Sequence, residues 1–314
     1  MIYLALFFIP LLISLLAGNH LIQLLKSINA RQTIREDGPK SHIKKKSNIP
    51  IIGGLLFLIP TFLLTSVLVI FSKNIRSMDL LVIAGTTFIL GALGFIDDYL
   101  KIFKKHNKGI SGWFKLFIQL LVSLIIYFKF NNGIGIVYLL WTFFVIAGAS
   151  NSYNLADGLD GLLGSITLLS LLGYSFLLYK SGRIDLLYFT IILSGSLIGF
   201  LYFNKHPAKV FMGDTGSLAL GGAIGSIAMV THTELYLICF ATIPILEAIS
   251  VILQVLSCQF SKKFLGKDIR PFKMAPLHHH FELIGWSETT IVKRFFIFQL
   301  ACIFVGMFIV LITN

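Results

Sequence analysis

The sequence predicts an all-α, polytopic integral membrane protein with about ten transmembrane helices and both termini extracytoplasmic. Composition is the first reason. Hydrophobic residues make up 56% of the 314 and charged residues only 13%, with a mean hydropathy of +0.86. A soluble domain carries roughly a quarter charged residues. The second reason is a series of about ten apolar stretches near the roughly 17–25 residues that a membrane helix needs. The third is that runs such as 11–16 are apolar on every face, whereas barrel strands alternate over about ten residues. The chain is read as one transmembrane domain, 1–314, with no nucleic acid among its partners.

The expected spans are 2–25, 49–71, 80–96, 114–130, 134–149, 159–179, 186–203, 217–230, 235–256 and 295–312. The first has no basic residue ahead of it and no small-residue cleavage site, so no cleaved targeting peptide is expected. The third closes on Gly91-Ala92-Leu93-Gly94, small residues that let other helices approach closely. The eighth is short. The ninth holds Pro244 and Glu247, its one mid-membrane acid. Cys239, Cys258 and Cys302 are isolated, without metal-ligand or disulfide spacing, and read as packing residues.

Basic residues set the orientation. The inside loops, about 26–48, 97–115, 150–161, 202–216 and 257–294, hold 21 of the 26 Lys and Arg. That asymmetry fits the positive-inside rule. The net charge of +12 then belongs mostly to the cytoplasmic face. It either reports topology alone or also attracts anionic lipid and an anionic soluble substrate.

The chain has only 14 acidic residues, and five of them fall in three islands at the inside ends of spans. Asp97-Asp98 follows the Gly-rich third span. It reads either as helix termination among Lys101, Lys104 and Lys105 or as a functional carboxylate pair. Asn151, Asn154, Asp157 and Asp160 recur every third residue, so neighbours converge on a helix although all four do not share one face. Capping of the sixth span would explain one of them. Phe211-Met212-Gly213-Asp214-Thr215-Gly216-Ser217 opens the eighth span, where free backbone N–H groups favour anions. Phe211 reads as a base-stacking surface or an interface anchor, and Asn204 and His206 share its loop. Oxygen donors of these kinds suit a divalent metal and phosphate chemistry. Met274-Ala275-Pro276-Leu277-His278-His279-His280-Phe281-Glu282 is internal, unlike an expression tag. It reads as a loop of imidazoles facing a diphosphate, or as a transition-metal site.

Taken in order, Ile34-Arg35-Glu36-Asp37-Gly38-Pro39, Asp97-Asp98-Tyr99, the stretch 154–161, the stretch 211–217 and the Pro-Leu-His-His-His-Phe-Glu string resemble one family. It is the phospho-N-acetylmuramoyl-pentapeptide transferases, a branch of the polyprenyl-phosphate N-acetylhexosamine-1-phosphate transferases. The aspartate islands are shared across the superfamily, and the His string selects the branch. The resemblance runs from about Arg35 to Arg294. One departure is Asn48-Ile49-Pro50-Ile51-Ile52-Gly53-Gly54, where the family has Gly-Thr-Pro-Thr-Met-Gly-Gly, so isoleucines replace both threonines.

The resemblance implies transfer of phospho-MurNAc-pentapeptide from UDP-MurNAc-pentapeptide to undecaprenyl phosphate with Mg²⁺, giving lipid I and UMP at the cytoplasmic face of the bacterial plasma membrane. It implies catalytic Asp97, Asp98 and Asp214, with Asp214 and Asn151 as metal ligands. It places Lys115, Asn151, Asn154, Asp157, Asp160, Asn204, Phe211, Gln254, His278, His279 and His280 around the substrates. A homodimer and contacts with membrane lipids are compatible with it. Direct attack by the lipid phosphate and a two-step route through an aspartyl phosphate both remain open. Three rival functions stand beside this reading. A structural scaffold would not need three metal-capable islands. A sister enzyme using UDP-GlcNAc would lack the His string, and an anionic-metabolite transporter would place its acids at mid-membrane, as Glu247 is.

Overall fold

The computed structural model describes residues 1–30, 48–71, 78–103, 109–130 and 135–313. The 34–39 string and Lys104 and Lys105 lie outside them. Among the described residues every regular element of two or more residues is helical. The helices are α1 (Ile2–Ser27), α2 (Leu55–Phe71), α3 (Met78–Phe103), α4 (Gly112–Phe130), α5 (Ile136–Ala156) and α6 (Leu162–Lys180). They continue with α7 (Ile184–Asn204), α8 (Gly213–Val230), α9 (Leu237–Phe240), α10 (Thr242–Leu265), α11 (Leu277–Leu283) and α12 (Glu288–Thr313). Eight of these are long and apolar enough to cross a membrane. The other two expected spans are α2, with 17 residues, and α8, whose first turn is polar.

Helices outrun the apolar stretches that announce them, because a helix satisfies its backbone internally whether or not its side chains are apolar. The 97–115 segment, expected as a loop, instead continues α3 to Phe103, so Asp97, Asp98 and Lys101 are helical. Likewise α5 runs to Ala156, carrying Asn151 and Asn154, while Asp157 ends it. The capping explanation for the second island does not hold: Gly161 stands at the N-cap of α6, with no side-chain cap.

The expected ninth span breaks at Ala241 and resumes as α10. Pro244 lies in the first turn of α10, where its missing N–H leaves no bond unmade. Buried Gln299 of α12 mends the break, accepting from Ile243 N–H at 2.9 Å and donating to the Cys239 carbonyl at 3.1 Å.

The centre of the fold is α8, buried at every residue from Thr215 to Val230. It packs chiefly on α3 and α5. A helix needs small residues to be enclosed this tightly. At Gly94 of α3, an added Cβ would run into the Asp214 carbonyl. Gly94→Ala is therefore expected to destabilise by about 1–3 kcal/mol, the scale of core overpacking. Gly85→Ala, where a Cβ meets nothing within 4 Å, should leave the melting temperature unchanged. Equal melting of the two variants would contradict this picture of the α3–α8 contact.

Candidate active site

The Gly94 approach brings the end of α3 against the start of α8, and three carboxylates meet there. One oxygen each from Asp97, Asp98 and Asp214 lies within 4.8 Å of the others. Asp97 and Asp98 are buried, and Asp214 retains 17% side-chain exposure. Asp97 Oδ1 accepts from Ile110 N–H at 2.6 Å. Its Oδ2 faces Lys101 Nζ at 2.5 Å and Lys115 Nζ at 3.1 Å. The same ammoniums reach Asp214 Oδ2, Lys115 at 2.7 Å and Lys101 at 3.1 Å. Two cations thus lie between two carboxylates that would otherwise repel.

Asp98 has a different task. Its Oδ1 accepts from Asp214 N–H at 3.1 Å, and its Oδ2 accepts from Thr215 N–H at 2.9 Å and the Thr215 hydroxyl at 2.7 Å. The first turn of α8 has no local side-chain cap, so a carboxylate from α3 satisfies its open N–H groups and faces the positive end of the helix. Gly213 permits this. Its φ of 74° is left-handed, and a Cβ there would crowd Asp98 Oδ2.

The second island borders this cluster through α5. Asn151 donates to Gln119 Oε1 at 3.2 Å and to the Ala147 carbonyl at 2.8 Å. Asn154 donates to Ser217 Oγ of α8 at 3.2 Å. Asp157 is half-buried at the end of α5. Asp160 turns to the loop after α7, accepting from Ala208 N–H at 3.0 Å and lying 3.1 Å from His206 Nδ1. Asn204 joins the same loops, accepting from Gly161 N–H at 3.1 Å and donating to the Val210 carbonyl at 2.9 Å. Glu288, at the start of α12, accepts from Asp160 N–H at 2.6 Å and forms a second cluster with Asp160 and His206.

Comparison with known proteins finds relatives over most of the chain. Residues 80–232 match the family glycosyl transferase family 4. A phospho-N-acetylmuramoyl-pentapeptide-transferase of Anoxybacillus flavithermus is 41% identical over 92% of this chain and 91% of its own length. One from Clostridium kluyveri is 42% identical over 95% of this chain and 96% of its own length. One from Bacillus subtilis is 38% identical, over 95% and 94%. The chain belongs to the phospho-N-acetylmuramoyl-pentapeptide transferase family.

In this member of the transferase family the His string forms a helix, α11, where the sequence suggested a loop. Its three Nδ1 atoms go to different partners: His278 to Glu247 Oε1 at 3.2 Å, His279 to Glu282 Oε2 at 2.9 Å, and His280 to Lys273 N–H at 3.1 Å. Among the described residues, neither three-residue metal-capable cluster includes these histidines. Gln254 clamps the segment leading to α11, exchanging both amide bonds with the Phe272 backbone at 3.0 Å. Phe211 is half-buried, and its backbone pairs with Pro50 and Gly53 at 2.8 Å each.

That pairing explains how the departure at Ile49–Ile52 is tolerated. Ile51 and Ile52 are buried while the backbone of 50–54 holds the aspartate island by main-chain bonds alone. Ile52 has a φ of 73°, a conformation that a β-branched residue rarely adopts. Three further polar contributors went unselected in the sequence. Lys101 carried a signal, its i,i+4 spacing from Asp97. Gln119 is a lone polar residue in an apolar run. Glu288 reads as an ordinary acid in a first helical turn.

Proposed function

We propose that the chain transfers phospho-MurNAc-pentapeptide from UDP-MurNAc-pentapeptide to undecaprenyl phosphate, yielding lipid I and UMP. The observation that carries it is the buried Asp97–Asp98–Asp214 cluster with Lys101 and Lys115, in a chain of this family. The 21-to-5 distribution of basic residues supports about ten spans with the cluster facing the cytoplasm of a bacterial cell.

A phosphomonoester is mostly dianionic near neutral pH, so the lipid phosphate needs little help from a base. Its difficulty is repulsion by the diphosphate that it attacks. Lys101 and Lys115 lower that repulsion with fixed charge in a partly water-excluded place. Asp98 accepts from the Asp214 and Thr215 N–H groups and so fixes the first turn of α8, which sets Asp214 beside the two lysines. The carboxylates fit a hard divalent cation in kind and spacing. Asp97 and Asp214 would hold Mg²⁺, which neutralises phosphate charge when bound. Asn151, which the resemblance makes a metal ligand, spends its amide N–H on Gln119 and Ala147. Direct attack is the better-supported route, because the cluster's carboxylates already accept from lysines or backbone. A carboxylate nucleophile would have to give up such partners.

The sister and transporter readings weaken on particular residues. The His string fixes α11 beside the acidic loop, as Gly158 contacts His278. Glu247 is committed to His278. Exposed Lys262 and Arg270, with Lys273, add basic charge suited to a bulky anionic nucleotide–peptide.

The test is UMP release by purified protein with undecaprenyl phosphate and Mg²⁺. UDP-MurNAc-pentapeptide should be used at least about tenfold better than UDP-GlcNAc, roughly 1.4 kcal/mol of discrimination. Equal use of the two would move the protein to the sister branch.

A further inference from the structure

Glu247 lies six residues into α10 and is fully buried, as is its partner His278. Its Oε1 accepts from His278 N–H at 3.2 Å and faces the ring Nδ1 at 3.2 Å. Because a carboxylate accepts, Nδ1 carries the hydrogen and the ring orientation is fixed. The backbone half of this contact matters equally. His278 is the second residue of α11, where N–H groups lack helical partners, and Pro276 supplies no side-chain cap. A seven-residue helix is far too short to persist by propensity, so α11 depends on what holds it.

The other edge of the imidazole points at the acidic loop. His278 Nε2 presses on Gly158, where any Cβ would overlap it. Among the described residues, neither Nε2 nor Glu247 Oε2 has a hydrogen-bond partner. Buried polar atoms left this way carry an uncompensated desolvation cost. An apolar pair of similar volume would avoid that cost, so stability alone does not account for Glu247 and His278.

We infer that Glu247 is a positioning residue: together with Gly158 it seats His278 and locks α11 against the loop 157–161, on the sugar-nucleotide side of the site. The assignment to the sugar-nucleotide side rests on the transfer proposed above; the locking of α11 does not.

The experiment uses the full chain in detergent, with Glu247→Leu, Glu247→Gln and Gly158→Ala. Hydrogen exchange at backbone amides 277–283 reads the lock directly. Glu247→Leu should speed that exchange at least about tenfold and lower kcat/KM for UDP-MurNAc-pentapeptide by about tenfold or more, leaving KM for undecaprenyl phosphate unchanged. Glu247→Gln keeps an acceptor oxygen and should restore exchange protection and bring kcat/KM within about threefold of the parent. Gly158→Ala displaces His278 without touching Glu247 and should reproduce the sugar-nucleotide defect, which keeps the test decisive if the Leu variant does not fold. Unchanged exchange in a folded Glu247→Leu protein overturns the inference, as does normal sugar-nucleotide kcat/KM in Gly158→Ala. If the parent protein transfers nothing from any UDP-sugar, the proposed function fails, and exchange alone then decides whether Glu247 locks α11.

Discussion

Asp214→Asn is expected to lower transfer by at least about a hundredfold, the scale of losing one electrostatic contact made in a transition state, with little change in melting temperature. Asp214 Oδ2 receives both Lys115 and Lys101. Among the described residues the partners of that oxygen are these two ammoniums, so an amide there removes charge without stranding a buried N–H. Asp98→Asn should behave differently. Its two oxygens serve two backbone N–H groups and one hydroxyl at the start of α8. An Asn NH₂ would face one of those donors and leave it unsatisfied, at a cost of about 1–3 kcal/mol. Activity and melting temperature should therefore fall together in Asp98→Asn and separate in Asp214→Asn. Initial rates of UMP release at saturating Mg²⁺, beside thermal melting, distinguish the two. Near-normal turnover in Asp214→Asn would remove that residue from the chemistry.

The sequence made the helical membrane class legible because burial in lipid is written into composition, residue by residue. The three acidic islands stood out for the related reason that carboxylates at membrane-helix ends are rare. Their division of labour was not legible. Asp98 serves as a cap for α8 only because Gly94 lets two helices touch, a contact that no local pattern announces. Asp160 and Asn204 match substrate positions by resemblance, yet here they also tie two loops together. Spacing along the chain does not reveal such cross-loop bonds. Glu247 misled for the same reason. As a lone acid amid apolar residues it suggested transport, and its partner lies 31 positions away.

Lys115 offers the sharpest test of how this cluster balances charge. Three carboxylates and two ammoniums give it a formal charge of −1, and Lys115 bridges Asp97 and Asp214 while remaining 18% exposed. In Lys115→Met the apolar stem is retained and the cation is lost. Two opposite effects should follow. The freed carboxylate oxygens would bind a divalent cation more tightly, since an ammonium no longer competes for them; the Mg²⁺ concentration for half-maximal activity should fall about threefold or more. At the same time an incoming diphosphate would meet more negative charge, so kcat/KM for the sugar nucleotide should drop at least about tenfold. A purely structural lysine would give neither split. If Lys115→Met required more Mg²⁺ than the parent, the ammonium would be supporting the metal site and not competing with it, and Lys101 alone would remain to offset the phosphate charge.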